Sequence, residues 1–206
     1  MEFIPIAEEI GLIGQIGAWV LKQACVEAAK WPDDIHVAVN LSPAQFRRRA
    51  VVLDVVSALG ASGLPAHRLE VEITETVLLQ DTEATVGILD ELHNLGVRIS
   101  MDDFGTGYSS LAYLQKFPFD KIKIDRSFVK DLSERPQSIA IIRAVTAMST
   151  SLGMKTTAEG VETEQELQTL KEEGCTEVQG YLYSKAVPAA QAMLLLHNAK
   201  AMKDVA

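Results

Sequence analysis

The sequence has no run of about 20 apolar residues, so it offers no candidate membrane-spanning helix. Its most apolar stretch, Ile10–Leu21, is broken by Gln15 and three glycines. The opening residues Met1-Glu2-Phe3-Ile4-Pro5 lack the basic n-region and cleavage pattern of a signal peptide. Cysteine is scarce. Cys25 and Cys175 make no CxxC pair and read as buried free thiols, which predicts a cytoplasmic protein. Positive charge is also short, with 19 Lys and Arg against 28 Asp and Glu, a net −9. That balance argues against a DNA-binding stripe and is compatible with plain solubility. An acidic chain takes an anionic ligand only through cations or a local basic group. No low-complexity tract or Pro/Gly/Ser linker interrupts the sequence, so residues 1–206 read as one domain.

What is present has the balance of an ordinary globular chain, 48% hydrophobic and 23% charged, long enough for a sizeable core. Short β-branched runs alternate with longer amphipathic stretches, the rhythm of repeated βα units around a parallel sheet. The runs predict strands over His36–Leu41, Leu69–Thr74, Val97–Met101, Lys121–Asp125, Lys155–Ala158 and Glu177–Leu182. Helices are predicted over Glu2–Glu9, Ile13–Lys30, Thr82–Asn94 and Gln137–Leu152, the last two closed by Gly96 and Gly153. Ser42-Pro43 reads as an N-cap followed by an N1 proline, and Thr163 with Glu166 as a capping box. Six strands could build an open doubly wound sheet or part of a TIM-type (β/α) barrel. Side-chain parity favours the barrel. In Lys121–Asp125 the isoleucines share one face and the polar residues the other, as do Val71/Ile73 against Glu70/Glu72. A sheet covered by helices on both faces is apolar throughout, whereas a barrel can be polar inside at its C-terminal mouth.

All six predicted strands carry a polar group at the same end: Asn40, Glu72 with Glu75, Asp102 with Asp103, Lys123 with Asp125, Glu159 with Glu162, and Gln179. Each alone has an ordinary explanation as a cap or a turn residue. Together, at the mouth of one barrel, these carboxylates could not all stay ionised without cations. The all-oxygen donor set points to a hard divalent ion, Mg²⁺ or Mn²⁺, with enough carboxylates for two ions about 4 Å apart. Such a pair suits phosphoester hydrolysis. Lys123 is the one positive group at the mouth, placed to orient a water, to stabilise phosphoryl charge, or simply to pair with Asp102 or Asp125. Asp102-Asp103-Phe104-Gly105-Thr106-Gly107-Tyr108-Ser109-Ser110 reads as paired carboxylates followed by a mobile loop, a lid or ligand sensor rather than a P-loop.

At these residues the chain resembles the EAL family of cyclic di-GMP phosphodiesterases. The matching motifs are F-I-P-x-A-E-E-x-G-L-I (Phe3–Ile13), W-V-L-x-x-A-C (Trp19–Cys25), N-L-S (Asn40–Ser42) and E-I-T-E (Glu72–Glu75). They continue with D-D-F-G-T-G-Y-S-S (Asp102–Ser110), K-I-D-R-S-F-V (Lys123–Val129), A-E-G-V-E-T (Ala158–Thr163) and Q-G-Y-L (Gln179–Leu182). The resemblance implies a TIM-type barrel with metal ligands Asn40, Glu72, Asp102, Asp103 and Glu159. It makes Lys123, Glu159 and Glu75 catalytic, Glu75 by steadying the loop after Asp103. It assigns contacts with substrate or water to Gln179, Asp125 and Glu162. The implied reaction is hydrolysis of one phosphodiester of cyclic di-GMP to linear pGpG, in a homodimer formed through the region after the D-D-F-G-T-G segment.

There are departures. The family's Glu-Ala-Leu strand, whose glutamate binds metal, and a nearby substrate-binding arginine have no counterpart here. The resemblance therefore predicts a barrel lacking its first two strands. Such a chain is expected to be unstable alone, to dimerise or swap elements, or to borrow strands. Ser184-Lys185-Ala186-Val187-Pro188 has alanine where the family has proline. The alternative expectation is a catalytically inactive module that binds cyclic di-GMP or another protein.

Overall fold

The computed structural model describes residues 3–46, 50–80, 82–105, 114, 116–117, 119–130, 132 and 135–203. Among these residues six strands are present: β1 (Val37–Asn40), β2 (Leu69–Thr74), β3 (Arg98–Phe104), β4 (Lys121–Ile124), β5 (Lys155–Glu159) and β6 (Glu177–Gln179). They pair in parallel and in sequence order, β1 through β6. β2 spans the predicted residues. β3 starts one residue later than predicted and runs three further, through Asp102 and Asp103 to Phe104, with a register shift between Met101 and Phe104. β6 stops at Gln179, short of the predicted Leu182.

The helices are α1 (Ile4–Glu9), α2 (Ile13–Ala28), α3 (Pro43–Phe46), α4 (Ala50–Ser62), α5 (Glu75–Gln80), α6 (Thr82–Asn94), α7 (Arg126–Val129), α8 (Pro136–Ser151), α9 (Glu164–Glu172) and α10 (Ala189–Lys203). Several ends follow from local chemistry. Gly96 and Gly153 take positive φ just past α6 and α8, where a β-carbon would be strained. Thr163 and Glu166 form the reciprocal capping box of α9. Ser42 Oγ accepts from the N–H of Ala44 at the start of α3.

The parity argument holds in detail. Val39, Val71, Ile73, Ile99, Met101, Ile122, Ile124 and Ala158 are buried on one face of the sheet. Helices cover that face with apolar stripes at three- and four-residue spacing, such as Leu21, Cys25 and Ala28 of α2 and Ile88, Leu89 and Leu92 of α6. Each fully buried Leu or Ile contributes about 1.5–3 kcal/mol. Cys25 lies inside this core, whereas Cys175 is only half-buried, a correction to its reading as a buried thiol; both are free. The opposite face is polar and concave. Lys121 on β4 bonds both Glu70 on β2 and Glu177 on β6. In a flat sheet those strands would lie nearly 10 Å to either side of β4. The sheet is an arc of a TIM-type barrel, with β1 and β6 at the ends of the strand order.

The end of the barrel away from the C-terminal mouth is tied by Arg68, which is 2% exposed. Its guanidinium donates to the carbonyls of Ile35 (2.8 Å), Ala28 (2.9 Å), Pro32 (2.9 Å) and Trp31 (3.3 Å). One side chain thus satisfies the carbonyls at the end of α2 and along the loop into β1.

Candidate functional site

Because all six strands are parallel, their C-termini open on one mouth, and the polar residues predicted there are carried to it. Lys123, 4% exposed, stands in the middle. Its ammonium bonds Glu159 Oε1 at 2.6 Å, Glu72 Oε2 at 2.9 Å and Asp102 Oδ1 at 3.1 Å, so β4 reaches β2, β3 and β5 at once. Asn40 Nδ2 donates to the same Glu72 oxygen at 3.0 Å, adding β1. Asp103 has a φ of 55°, a left-handed conformation that aspartate tolerates better than most residues, and its N–H donates to Asp102 Oδ1 at 3.0 Å. Carboxylate oxygens of Asp102, Asp103 and Glu159 lie within 4.8 Å of one another.

The electrostatics are unbalanced. Glu72, Asp102, Asp103 and Glu159 surround one ammonium. Burial pushes the Glu72 carboxyl above its ordinary value against the pull of Lys123, and it does the same to Glu159. Burial, then the neighbouring Asp102, push Asp103 up. Burial also disfavours the Lys123 ammonium, but Glu72, Glu159 and Asp102 outweigh it and hold the group charged. A cluster of oxygen donors that resists ionisation until more positive charge arrives fits a hard divalent cation.

The other predicted residues flank this centre. Glu75, first residue of α5, accepts from the N–H of Gly105 at 2.9 Å, tying down the chain just after Asp103. The rest of the predicted lid, Thr106–Ser110, and the region after it assigned to dimer contacts lie largely outside the described residues. Asp125 caps α7, accepting from the N–H of Ser127 at 2.9 Å; burial raises its carboxyl, but these hydrogen bonds prevail and hold it low. Glu162 and Gln179 line a recess of about 750 Å³ that also touches Glu159. Its remaining wall includes Arg126, Lys130, Thr163 and Tyr181. Sequence reasoning gave Arg126, Lys130 and Tyr181 no role, although Arg126 and Tyr181 lie within quoted motifs, and it read Thr163 only as a helix cap. Two glycines let the recess close. A β-carbon on Gly180 would fall 2.0 Å from Val161 O, and one on Gly160 would fall 2.6 Å from Arg126 Cβ. Val161 itself bonds through its N–H to Gln179 O and through its O to Leu182 N.

Comparison with known proteins gives the family. The family described as EAL domain matches residues 1–186. The chain belongs to the EAL family. Among its relatives, MucR of Pseudomonas aeruginosa, a bifunctional diguanylate cyclase/cyclic di-GMP phosphodiesterase, is 43% identical over 194 residues, 92% of this chain and 28% of that protein. The solved PaMucR phosphodiesterase in its c-di-GMP complex superposes with a TM-score of 0.88 at 43% identity, covering 93% of this chain and 79% of that one. The manganese/c-di-GMP complex of Klebsiella pneumoniae BlrP1 gives a TM-score of 0.77 at 31% identity, over 84% of this chain and 44% of that one. The chain spans about a quarter of the length of the curated relatives it matches. Among the described residues, no helix is long and apolar enough to cross a membrane.

Proposed function

We propose that this EAL domain hydrolyses cyclic di-GMP to linear pGpG with the help of bound Mg²⁺ or Mn²⁺. The observation that carries the reading is the convergence of Glu72, Asp102 and Glu159 on the Lys123 ammonium at 2.6–3.1 Å, with Asp103 beside them. Asn40, Glu72, Asp102, Asp103 and Glu159 would hold the cation or cation pair, which supplies Lewis-acid stabilisation of phosphoryl charge. The chain's own residues account for the rest. Lys123 faces the charge that develops on the phosphoryl group and orients the attacking water. Glu159, its carboxyl raised by burial, is suited to take the water's proton as the new oxygen–phosphorus bond forms; the bond to the 3′-oxygen breaks, and that oxygen leaves as a hydroxyl with a proton from solvent. Gln179 and Glu162 contact substrate or water from the recess side, Asp125 does so from the cap of α7, and Glu75 holds the loop after Asp103.

The test is chromatography of cyclic di-GMP incubated with the chain and Mn²⁺ or Mg²⁺. Metal-dependent pGpG that disappears in Asp102→Ala supports the reading; a folded chain with no turnover refutes it. A second reading is binding of the dinucleotide without hydrolysis. It draws on the strand order, whose ends among the described residues are β1, carrying Asn40, and β6, carrying Gln179. Saturable binding of cyclic di-GMP without product would select it.

A further inference from the structure

Cyclic di-GMP carries two phosphodiesters, each with one negative charge, and the proposed reaction opens one of them. Bound cations answer the phosphate at the mouth. The second has to meet positive charge elsewhere on the chain or stay in water. Lys123 is not free to serve it, since three carboxylates hold its ammonium at 2.6–3.1 Å.

The recess beside the mouth supplies two other cations. Arg126 and Lys130 are exposed, line it from α7, and form no ion pair among the described residues. The nearest carboxylate in sequence, Asp125, is turned onto the N–H of Ser127. The Lys130 N–H bonds Arg126 O at 2.9 Å, which sets the two residues one helical turn apart on the same side, about 5–6 Å between β-carbons. That spacing suits two cations converging on one phosphate. Arg126 is also rooted beside the reaction centre, its Cβ packed against Gly160, the residue after Glu159. Lys185 is engaged differently, its Nζ 5.5 Å from the centroid of the Tyr181 ring.

The opposite wall is acidic, and its charges are accounted for. Glu159 belongs to the mouth. Glu166 Oε2 accepts from the N–H groups of Glu162 and Thr163. Glu162 repels phosphate and suits a donor, such as the N–H edge of a guanine or a ribose hydroxyl. An anion entering the recess is therefore steered to the α7 wall. The volume of about 750 Å³ is ample for the nucleotide half that the mouth does not hold.

We propose that Arg126 and Lys130 bind the phosphate of cyclic di-GMP that is not hydrolysed, seating the second half of the dinucleotide in the recess. The proposal deepens the functional reading and rests on it for the identity of the ligand. Arg126 offers a planar fork of donors and Lys130 a point charge. Both contacts are made alike before and during bond breaking, so they act on KM rather than on kcat.

The experiment sets wild type, Lys130→Met, Arg126→Lys and Arg126→Met/Lys130→Met against two substrates in Mn²⁺. One is cyclic di-GMP; the other, bis(p-nitrophenyl) phosphate, has a single phosphate and nothing to offer the recess. For cyclic di-GMP, KM is expected to rise about tenfold in Lys130→Met and about fiftyfold in the double variant, with kcat within about twofold. Arg126→Lys keeps the charge and should lose no more than about threefold. Added salt should raise the KM of wild type more steeply than that of the double variant. Turnover of bis(p-nitrophenyl) phosphate should change by less than about twofold throughout. An unchanged KM for cyclic di-GMP overturns the proposal, and so does an equal loss on both substrates, which would mark a structural role. Lys130→Met alone decides if the double variant does not fold. A wild type that binds cyclic di-GMP without turnover sinks the phosphodiesterase reading alone; calorimetric Kd values then replace KM, with the same ratios expected. A wild type that neither binds nor hydrolyses it overturns both.

Discussion

Lys123→Met separates the two jobs of the central ammonium, holding the mouth together and taking part in chemistry. At an effective dielectric of about 20, each ion pair near 3 Å is worth about 5 kcal/mol in attraction, and burying the lysine takes back much of the total. The net cost of deleting one partner from such a buried cluster is about 3–5 kcal/mol. A chain of this size loses about 2–4 °C of Tm per kcal/mol, so metal-free Lys123→Met should melt about 10 °C below wild type. Its mouth is then more negative by one charge, so Mn²⁺ should recover more of the loss than it adds to wild type. At 100 times its Kd, the ion returns about 2.7 kcal/mol. Thermal unfolding followed by circular dichroism, once with EDTA and once with Mn²⁺, reads both effects. Equal melting of variant and wild type in EDTA would refute the reasoning, as would the same Mn²⁺ shift in both. Turnover should stay lost in either condition.

Two further outcomes are expected. Arg68→Met leaves several buried carbonyls without their donor and should cost about 3–5 kcal/mol in urea unfolding; a loss under about 1 kcal/mol would show that the clamp is replaceable by water. The pH dependence of cation binding has a definite sign. The Glu72, Asp103 and Glu159 carboxyls are raised above their ordinary values, so the metal-free fold retains protons there that an unfolded chain has released. Metal-free stability therefore falls as pH rises from the unfolded value, 4.5 for the glutamates and 3.8 for the aspartate, through the folded ones. Mn²⁺ displaces those protons, and the Tm gain it gives should be larger near neutrality than at about pH 5. The opposite order would contradict this account.

Much of the site was legible because strand parity is a strict code. Glu70 and Glu72 had to share a face opposite Val71 and Ile73, and Lys121 and Lys123 had to stand likewise opposite Ile122 and Ile124. That pattern fixed the barrel reading and brought the carboxylates to one mouth. It also contained the charges of Glu70, Lys121 and Glu177, but alternation alone does not say that Lys121 reaches strands on both sides. That depends on sheet curvature. The ends of β3 and β6 were misplaced for local reasons. Paired carboxylates look like the start of a loop, yet Asp102 and Asp103 remain in a strand that shifts register beside them. Leu182 looks like strand, yet Gly180 brings the chain against Val161 and ends the ladder. A buried arginine such as Arg68 leaves no signature at all, because its partners are carbonyls that every residue possesses.

The near contact of main chain at Val161 and Gly180 bears on how this mouth can change. The separation of Glu159 from Gln179 is set by peptide groups resting on one another, and peptide groups have no rotamers to choose from. Arg126 and Lys130 meet the same recess with long, adjustable tips. The spacing of these two strand ends is thus set by backbone, and the far wall of the recess by side-chain ends, so a descendant could reshape that wall without moving Glu159 against Gln179.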